Sequence, residues 1–210
     1  MDASGSSNAK PTPARRPRGR RLRRAFYRRH ATELAQALIG KVLVHRVDGQ
    51  AYAGRIVETE AYVGPHDLAC HAAKGRTKRT EIMFGRAGHA YVYLIYGMYP
   101  MLNIVSGDPG HPEAVLIRAA EPLCGWPKDW SSNLSGPGKL CREMRITLAD
   151  NTLDLTLSPK LYLLDDRARP TPRIATSKRI GVDYAGEWKD AELRFYDADS
   201  TAVSRVRKSE

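Results

Sequence analysis

Cysteine is scarce in this chain. Cys70, Cys124 and Cys141 lie far apart, and none belongs to a CxxC pair. An odd number at such spacing excludes a disulfide framework and a zinc ribbon as organising devices. No apolar run is long enough to span a bilayer, and the N-terminal stretch has no apolar core of the kind that directs secretion. The expected setting is a reduced, intracellular one (cytoplasm or nucleoid, or nucleus), with no membrane attachment. Negative charge is also in short supply. Asp and Glu number 23 against 34 Lys and Arg, a formal net charge of +11. Such an excess points to a polyanionic partner, nucleic acid before an anionic membrane surface.

What is present is enough for one domain of ordinary size. The chain has 210 residues, of which 42% are hydrophobic, a content typical of folded proteins. Residues 1–24 hold a cluster of arginines among Ser, Pro and Ala. They bury too little to repay ordering, so they read as a disordered basic arm attracted to phosphates. Residues 25–197 read as the domain and residues 198–210 as a basic tail. Thr32, Leu34, Ala35, Leu38 and Ile39, closed by Gly40, have the spacing of a short amphipathic helix. KVLVHR (Lys41 to Arg46) and GRIVETEAY (Gly54 to Tyr62) read as strands about the Asp48-Gly49 turn. AVLIRAA (Ala114 to Ala120) reads as a buried strand carrying one cation. SGPGKL leads into a helix at Lys139 to Met144, and LRFY is a terminal strand. Strands dominate, helices are short and no βαβ rhythm occurs. The expected class is α+β, a single domain with a mainly antiparallel sheet.

Two stretches carry chemistry. Strict alternation puts Ile56, Glu58, Glu60 and Tyr62 on one strand face, although a buried, unpaired carboxylate is expensive. AYVYLIYGMYPMLN (Ala90 to Asn103) is a second strand, with Tyr91, Tyr93 and Ile95 on one face and Val92, Leu94 and Tyr96 on the other. Gly97 breaks it, so Tyr96 stands at a turn tip. Stacking aromatics, an aromatic wedge and a lone carboxylate, on a basic protein, are what a base-flipping enzyme needs.

IVETEAY with His71 downstream, YVYLIYGMYPMLN, VLIRAAEP, SGPGKL and RIGVDYAGEW occur in an order and spacing that resemble the alkyladenine (3-methyladenine) DNA glycosylases, from about Phe26 to Tyr196. The resemblance implies a curved sheet, short surrounding helices and a protruding β-hairpin. It implies a monomeric, cofactor-free and metal-free monofunctional glycosylase of base excision repair. Its partner would be double-stranded DNA containing damaged purines such as 3-methyladenine, 7-methylguanine, hypoxanthine or ethenoadenine. It further implies Glu60 as the base that activates water, with Arg118 positioning. Tyr62 and Tyr93 would stack the flipped purine, His71 would bind its edge, and Asn103 would crowd out guanine's 2-amino group. Tyr96 would intercalate. The chain departs from the family between Pro122 and Ser135, where it is short and reads CGWPKDWSSN.

Two other classes compete. A non-catalytic nucleic-acid-binding module fits the aromatics and the charge, but the RNP1 pattern is missing and a pure binder has no use for Glu60. A metal-dependent nuclease fits less well, because Glu58, Glu60, Cys70 and His71 have no recognised ligand spacing.

Overall fold

The computed structural model describes residues 17–127, 129–166 and 171–204. Ten strands among them form one open sheet: β1 (Arg20–Arg21), β2 (Val42–Val47), β3 (Gln50–Tyr62), β4 (Ala90–Ile95), β5 (Tyr99–Ser106), β6 (Glu113–Cys124), β7 (Leu134–Ser135), β8 (Leu161–Asp165), β9 (Ile174–Ser177) and β10 (Arg194–Asp197). Every pairing is antiparallel, in the order β1-β8-β2-β3-β6-β5-β4. β10 pairs with the later half of β3 and with β9, while β7 pairs with β6. The helices are short: α1 (Arg24–Tyr27), α2 (Ala31–Leu38) and α3 (Pro137–Glu143). The α+β architecture is as the sequence predicts. Among the described residues no helix is long and apolar enough to cross a membrane.

One sheet face buries the main core. α2 turns Ala31, Leu34, Ala35 and Leu38 inward, the i, i+3, i+4, i+7 stripe of an amphipathic helix. They join Ile56, Leu102, Ile104, Val115, Ile117, Leu140, Met144 and Phe195. Each fully buried leucine contributes roughly 1.5–3 kcal/mol. The first N–H of α2 is taken by the Glu113 carboxylate, at 2.6 Å from Ala31 N. The short Pro122–Ser135 link is packed rather than loose: Trp126 stacks on Trp130 at 4.6 Å, and the Trp130 indole donates to Glu143.

The opposite face becomes the candidate site through a pair of β-bulges. Ile56 pairs with Ala120 and Glu58 with Ala119, which leaves Val57 as an extra residue on β3. Thr59 then pairs with Ile117, which leaves Arg118 as the extra residue on β6. A bulge reverses side-chain parity on its strand. Ile56 therefore faces the main core while Glu58, Glu60 and Tyr62 face the other way. This corrects the simple alternation that put all four on one face.

Two expected boundaries also move. Arg20 and Arg21 pair with Asp165 and Leu164, so order begins before residue 25. Arg21 lies over the Tyr162 ring and donates to the Ser158 carbonyl, and Arg24 pairs with Asp154. These arginines are held by carbonyl, carboxylate and ring partners that no local pattern reveals. Residues 1–16 of the expected arm lie outside the described residues. At the other end, Ser204 is buried against Glu58, so the fold extends past residue 197. Residues 205–210 lie outside the description.

β4 and β5 run as a hairpin from Ala90↔Ile104 to Ile95↔Tyr99, but β5 meets β6 only at Asn103–Ser106. Its tip therefore projects beyond the sheet, and Pro100 sits where no second neighbour needs its N–H. Met98 N closes the turn on the Ile95 carbonyl, with Tyr96 at φ 53° and Gly97 at φ 71°. Positive φ at both central positions suits Asn-Gly, and a tyrosine in the left-handed region costs about 1–2 kcal/mol. Tyr96 is 87% exposed and recovers little of that by packing. Tyr96→Asn should therefore raise unfolding stability by about 1 kcal/mol in urea titration.

Candidate active site

A cavity of about 370 Å³ opens on the face opposite the main core. β3, β4, β5 and β6 supply Tyr62, Tyr93, Asn103 and Arg118 to its wall. His71 enters from a 3₁₀ turn, His71–Lys74, and the loop around Ile180–Val182 closes a further side. The structure thus gathers Tyr62, His71, Tyr93, Tyr96, Asn103 and Arg118 around one space. Glu60 is not in the wall. Its carboxylate is fully buried directly behind Tyr62, Arg118 and Ile180.

Glu60 is held by three donors from three segments. The Tyr62 hydroxyl donates to Oε2 at 2.9 Å. Ile180 N donates to Oε1 at 2.8 Å, and Arg118 reaches the same oxygen at 3.1 Å. A buried carboxylate is costly unless paired and hydrogen-bonded, and these partners meet that condition. Arg118 also donates through Nε to Glu58 at 2.9 Å. A cation on a buried strand needs an anionic partner, and in the fold Arg118 is shared by two carboxylates. Burial disfavours the Arg118 charge, but Glu60 and Glu58 outweigh it and hold its pKa above the ordinary value. Glu58 is surrounded by donors: Arg118, Arg194 and Ser204. Burial opposes its ionisation, and those partners reverse the balance, so its pKa is lowered.

The aromatic walls are fixed from behind. Arg179 lies 4.9 Å from the Tyr62 ring centroid and is locked to Asp67, itself buried. Burial and the Glu60 charge hold the Tyr62 phenol well above its ordinary pKa, so it stays a donor. His71 meets the Tyr93 ring edge-on at 4.5 Å, and its Nδ1 is 2.8 Å from the Tyr91 hydroxyl. Burial first, then the charges of Arg79 and Lys74, push the His71 pKa down to about 4. The imidazole is neutral at pH 7. Asn103 is buried, and its amide donates to the Tyr91 and Met101 carbonyls. This anchors it across the β4–β5 ladder.

Tyr96 departs from the alternation that assigned it to the face opposite Tyr93. Its positive φ takes it out of the strand repeat, and it lines the mouth of the same cavity. Four residues of the site escape a reading of the sequence. Tyr91 fixes His71, Arg79 lies 4.8 Å from the Tyr93 ring centroid, Arg179 backs Tyr62, and Tyr184 is exposed at the rim. Only Tyr91 carries a local signal, since it shares strand parity with Tyr93.

The His71 environment has a measurable consequence. Its ring resonances should titrate near pH 4 by NMR instead of near the ordinary 6.5. Arg79→Ala should move that midpoint upward by removing a repelling charge. An unchanged midpoint in the variant would remove Arg79 from the causes of the shift and leave burial and Lys74.

The profile described as Methylpurine-DNA glycosylase (MPG) matches residues 25–201. A protein of Methanocella arvoryzae is 50% identical over 195 residues, covering 88% of this chain and 96% of its own. One from Myxococcus xanthus is 48% identical over 184 residues, covering 88% and 93%. One from Legionella pneumophila strain Lens is 49% identical over 187 residues, covering 89% of this chain and 100% of its own. All three have been assigned the name 3-methyladenine DNA glycosylase. With its buried Glu60 behind an aromatic cavity and a match spanning nearly all of the described residues, the chain belongs to the methylpurine-DNA glycosylase family of DNA-repair enzymes.

Proposed function

We propose that this glycosylase draws a damaged purine out of duplex DNA into the cavity and hydrolyses its N-glycosidic bond without cutting the strand. One observation carries the reading: a fully buried carboxylate, Glu60, is held by Tyr62, Arg118 and the Ile180 N–H behind a space of ligand size walled by tyrosines. Tyr62 and Tyr93 offer ring faces for stacking, worth roughly 1–3 kcal/mol per base. Electron-poor alkylated purines stack better than normal ones on electron-rich rings. Asn103 crowds an exocyclic 2-amino group. His71, being neutral, serves as a hydrogen-bond partner to the base edge and not as an imidazolium acid.

In the chemical step, a water oxygen bonds to the sugar anomeric carbon as that carbon's bond to the purine nitrogen breaks. The bonding pair leaves with the purine, and Glu60 takes the water proton. An alkylated purine is already cationic and departs neutral, so no second carboxylate is required as acid. The positive charge that develops on the sugar is stabilised by the same carboxylate. Deaminated purines such as hypoxanthine, and ethenoadenine, would enter the same cavity but leave less readily, since they carry no such charge.

Tyr96, projecting from the hairpin tip at the cavity mouth, fills the gap left by the extruded nucleotide. A wedge of this kind offsets a few kcal/mol of unstacking. The left-handed strain at Tyr96 is then a price of placing an aromatic where Asn or Gly would be more stable.

Glu60→Gln should bind duplex containing a damaged purine about as tightly as the native enzyme, while single-turnover base release falls by roughly 100-fold or more. Normal release by the variant would remove Glu60 from the chemistry. Tyr96→Ser should weaken binding to fully paired damaged duplex more than binding to a substrate whose lesion is already unpaired. Equal losses on the two would count against a wedge.

A further inference from the structure

We propose that Glu58 is a positioning residue for base release, and that Ser204, in the C-terminal segment, is the clamp that holds it. The inference rests on the reading of Glu60 as the general base.

The geometry is specific. Glu58 is fully buried, and its Oε1 accepts from Arg118 Nε at 2.9 Å, Arg194 Nε at 2.7 Å and Ser204 Oγ at 2.7 Å. Its Oε2 accepts from Ser204 N at 2.6 Å. Arg194 also donates to the Ser204 carbonyl and to Ser177 Oγ. The clamp therefore joins β3, β6, β10 and the C-terminal segment. Ser204 lies beyond residue 201, where the family match ends.

A guanidinium presents its donors in a fixed planar fork, so binding one of them sets the direction of the others. With Nε engaged by Glu58, Arg118 turns an NH group to Glu60 Oε1, at 3.1 Å. Glu60 Oε2 accepts from the Tyr62 hydroxyl, its one hydrogen bond among the described residues, and keeps lone-pair capacity for water. Without the Glu58 charge, the fork is free to turn and pair with both Glu60 oxygens, the geometry guanidinium and carboxylate prefer. Bidentate pairing would make Glu60 a weaker base and obstruct the water. The other ionisable groups around this centre are Tyr62, Arg179 with its partner Asp67, Tyr93 and Tyr184. They remain unchanged in the variants below.

The test is single-turnover base release from duplex carrying one alkylated purine, measured across pH with melting temperature and DNA affinity in parallel. Glu58→Gln should slow release about 10- to 100-fold, the scale expected of a misplaced catalytic group, with DNA affinity retained. Ser204→Ala, a milder change, should slow release in the same direction, and Ser204→Thr should restore the native rate. If Glu58→Gln does not fold, Ser204→Ala decides. Variants that melt earlier yet keep the native rate and pH profile while folded would make the clamp purely structural and overturn the proposal. Normal release by Glu60→Gln, run alongside, would instead overturn the general-base reading beneath it.

Discussion

The structure depends on one buried guanidinium. Arg118 on β6 stands between Glu58 and Glu60 on β3, three ionisable groups removed from water. Taking ions out of water costs several kcal/mol each, and only mutual pairing with further hydrogen bonds offsets it. The fold meets that condition with Arg194 and Ser204 on the Glu58 side, and with Tyr62 and the Ile180 N–H on the Glu60 side. An apolar pair would pack there at less expense. In the proposed reading, what this cluster provides is a carboxylate beside a site from which water can be largely excluded, where electrostatic stabilisation of a forming cation is strongest.

The backbone is shaped around this requirement. Opposed bulges at Val57 and Arg118 reverse parity on both strands at the same level of the sheet. Before them Ile56 and Ala120 face the main core; beyond them Thr59, Ala61, Val115 and Ile117 do, which leaves Glu58, Glu60, Tyr62 and Arg118 on the other side. The hairpin makes a comparable concession. A tyrosine is held in a conformation that favours Asn or Gly, at a tip with almost nothing to pack against. Irregularities of this kind, at the places where the proposed function puts chemistry and DNA, are expected where function competes with local stability.

Much of this was legible in the residues. Apolar spacing marks α2, β2, β4 and the start of β6, and the tyrosines that line the cavity stand out in the sequence of β3 and β4. The bulges were not legible, because an extra residue leaves no mark in a pattern of alternating hydrophobicity, so Ile56 was misplaced. β1 and Ser204 were hidden for a different reason: arginines and a serine in polar segments are ordered only by distant partners, Asp165, Ser158 and Glu58. Arg79 and Arg179 look like ordinary surface cations until the fold places them against Tyr93 and Tyr62. The Arg118–Glu58 contact joins residues 60 positions apart, beyond the reach of any periodicity.

The central claim is that Glu60, sealed behind Tyr62 and Arg118 in the free protein, delivers a water to the sugar once a purine is seated. The most direct measurement is a crystal structure of the protein bound to duplex carrying an uncleavable, positively charged sugar mimic at the lesion position. The account predicts an ordered water within hydrogen-bond distance of a Glu60 oxygen and facing the anomeric position, with Tyr96 in the gap in the stack. A complex in which Glu60 stays enclosed by its three donors, with no water between it and the sugar mimic, would contradict it.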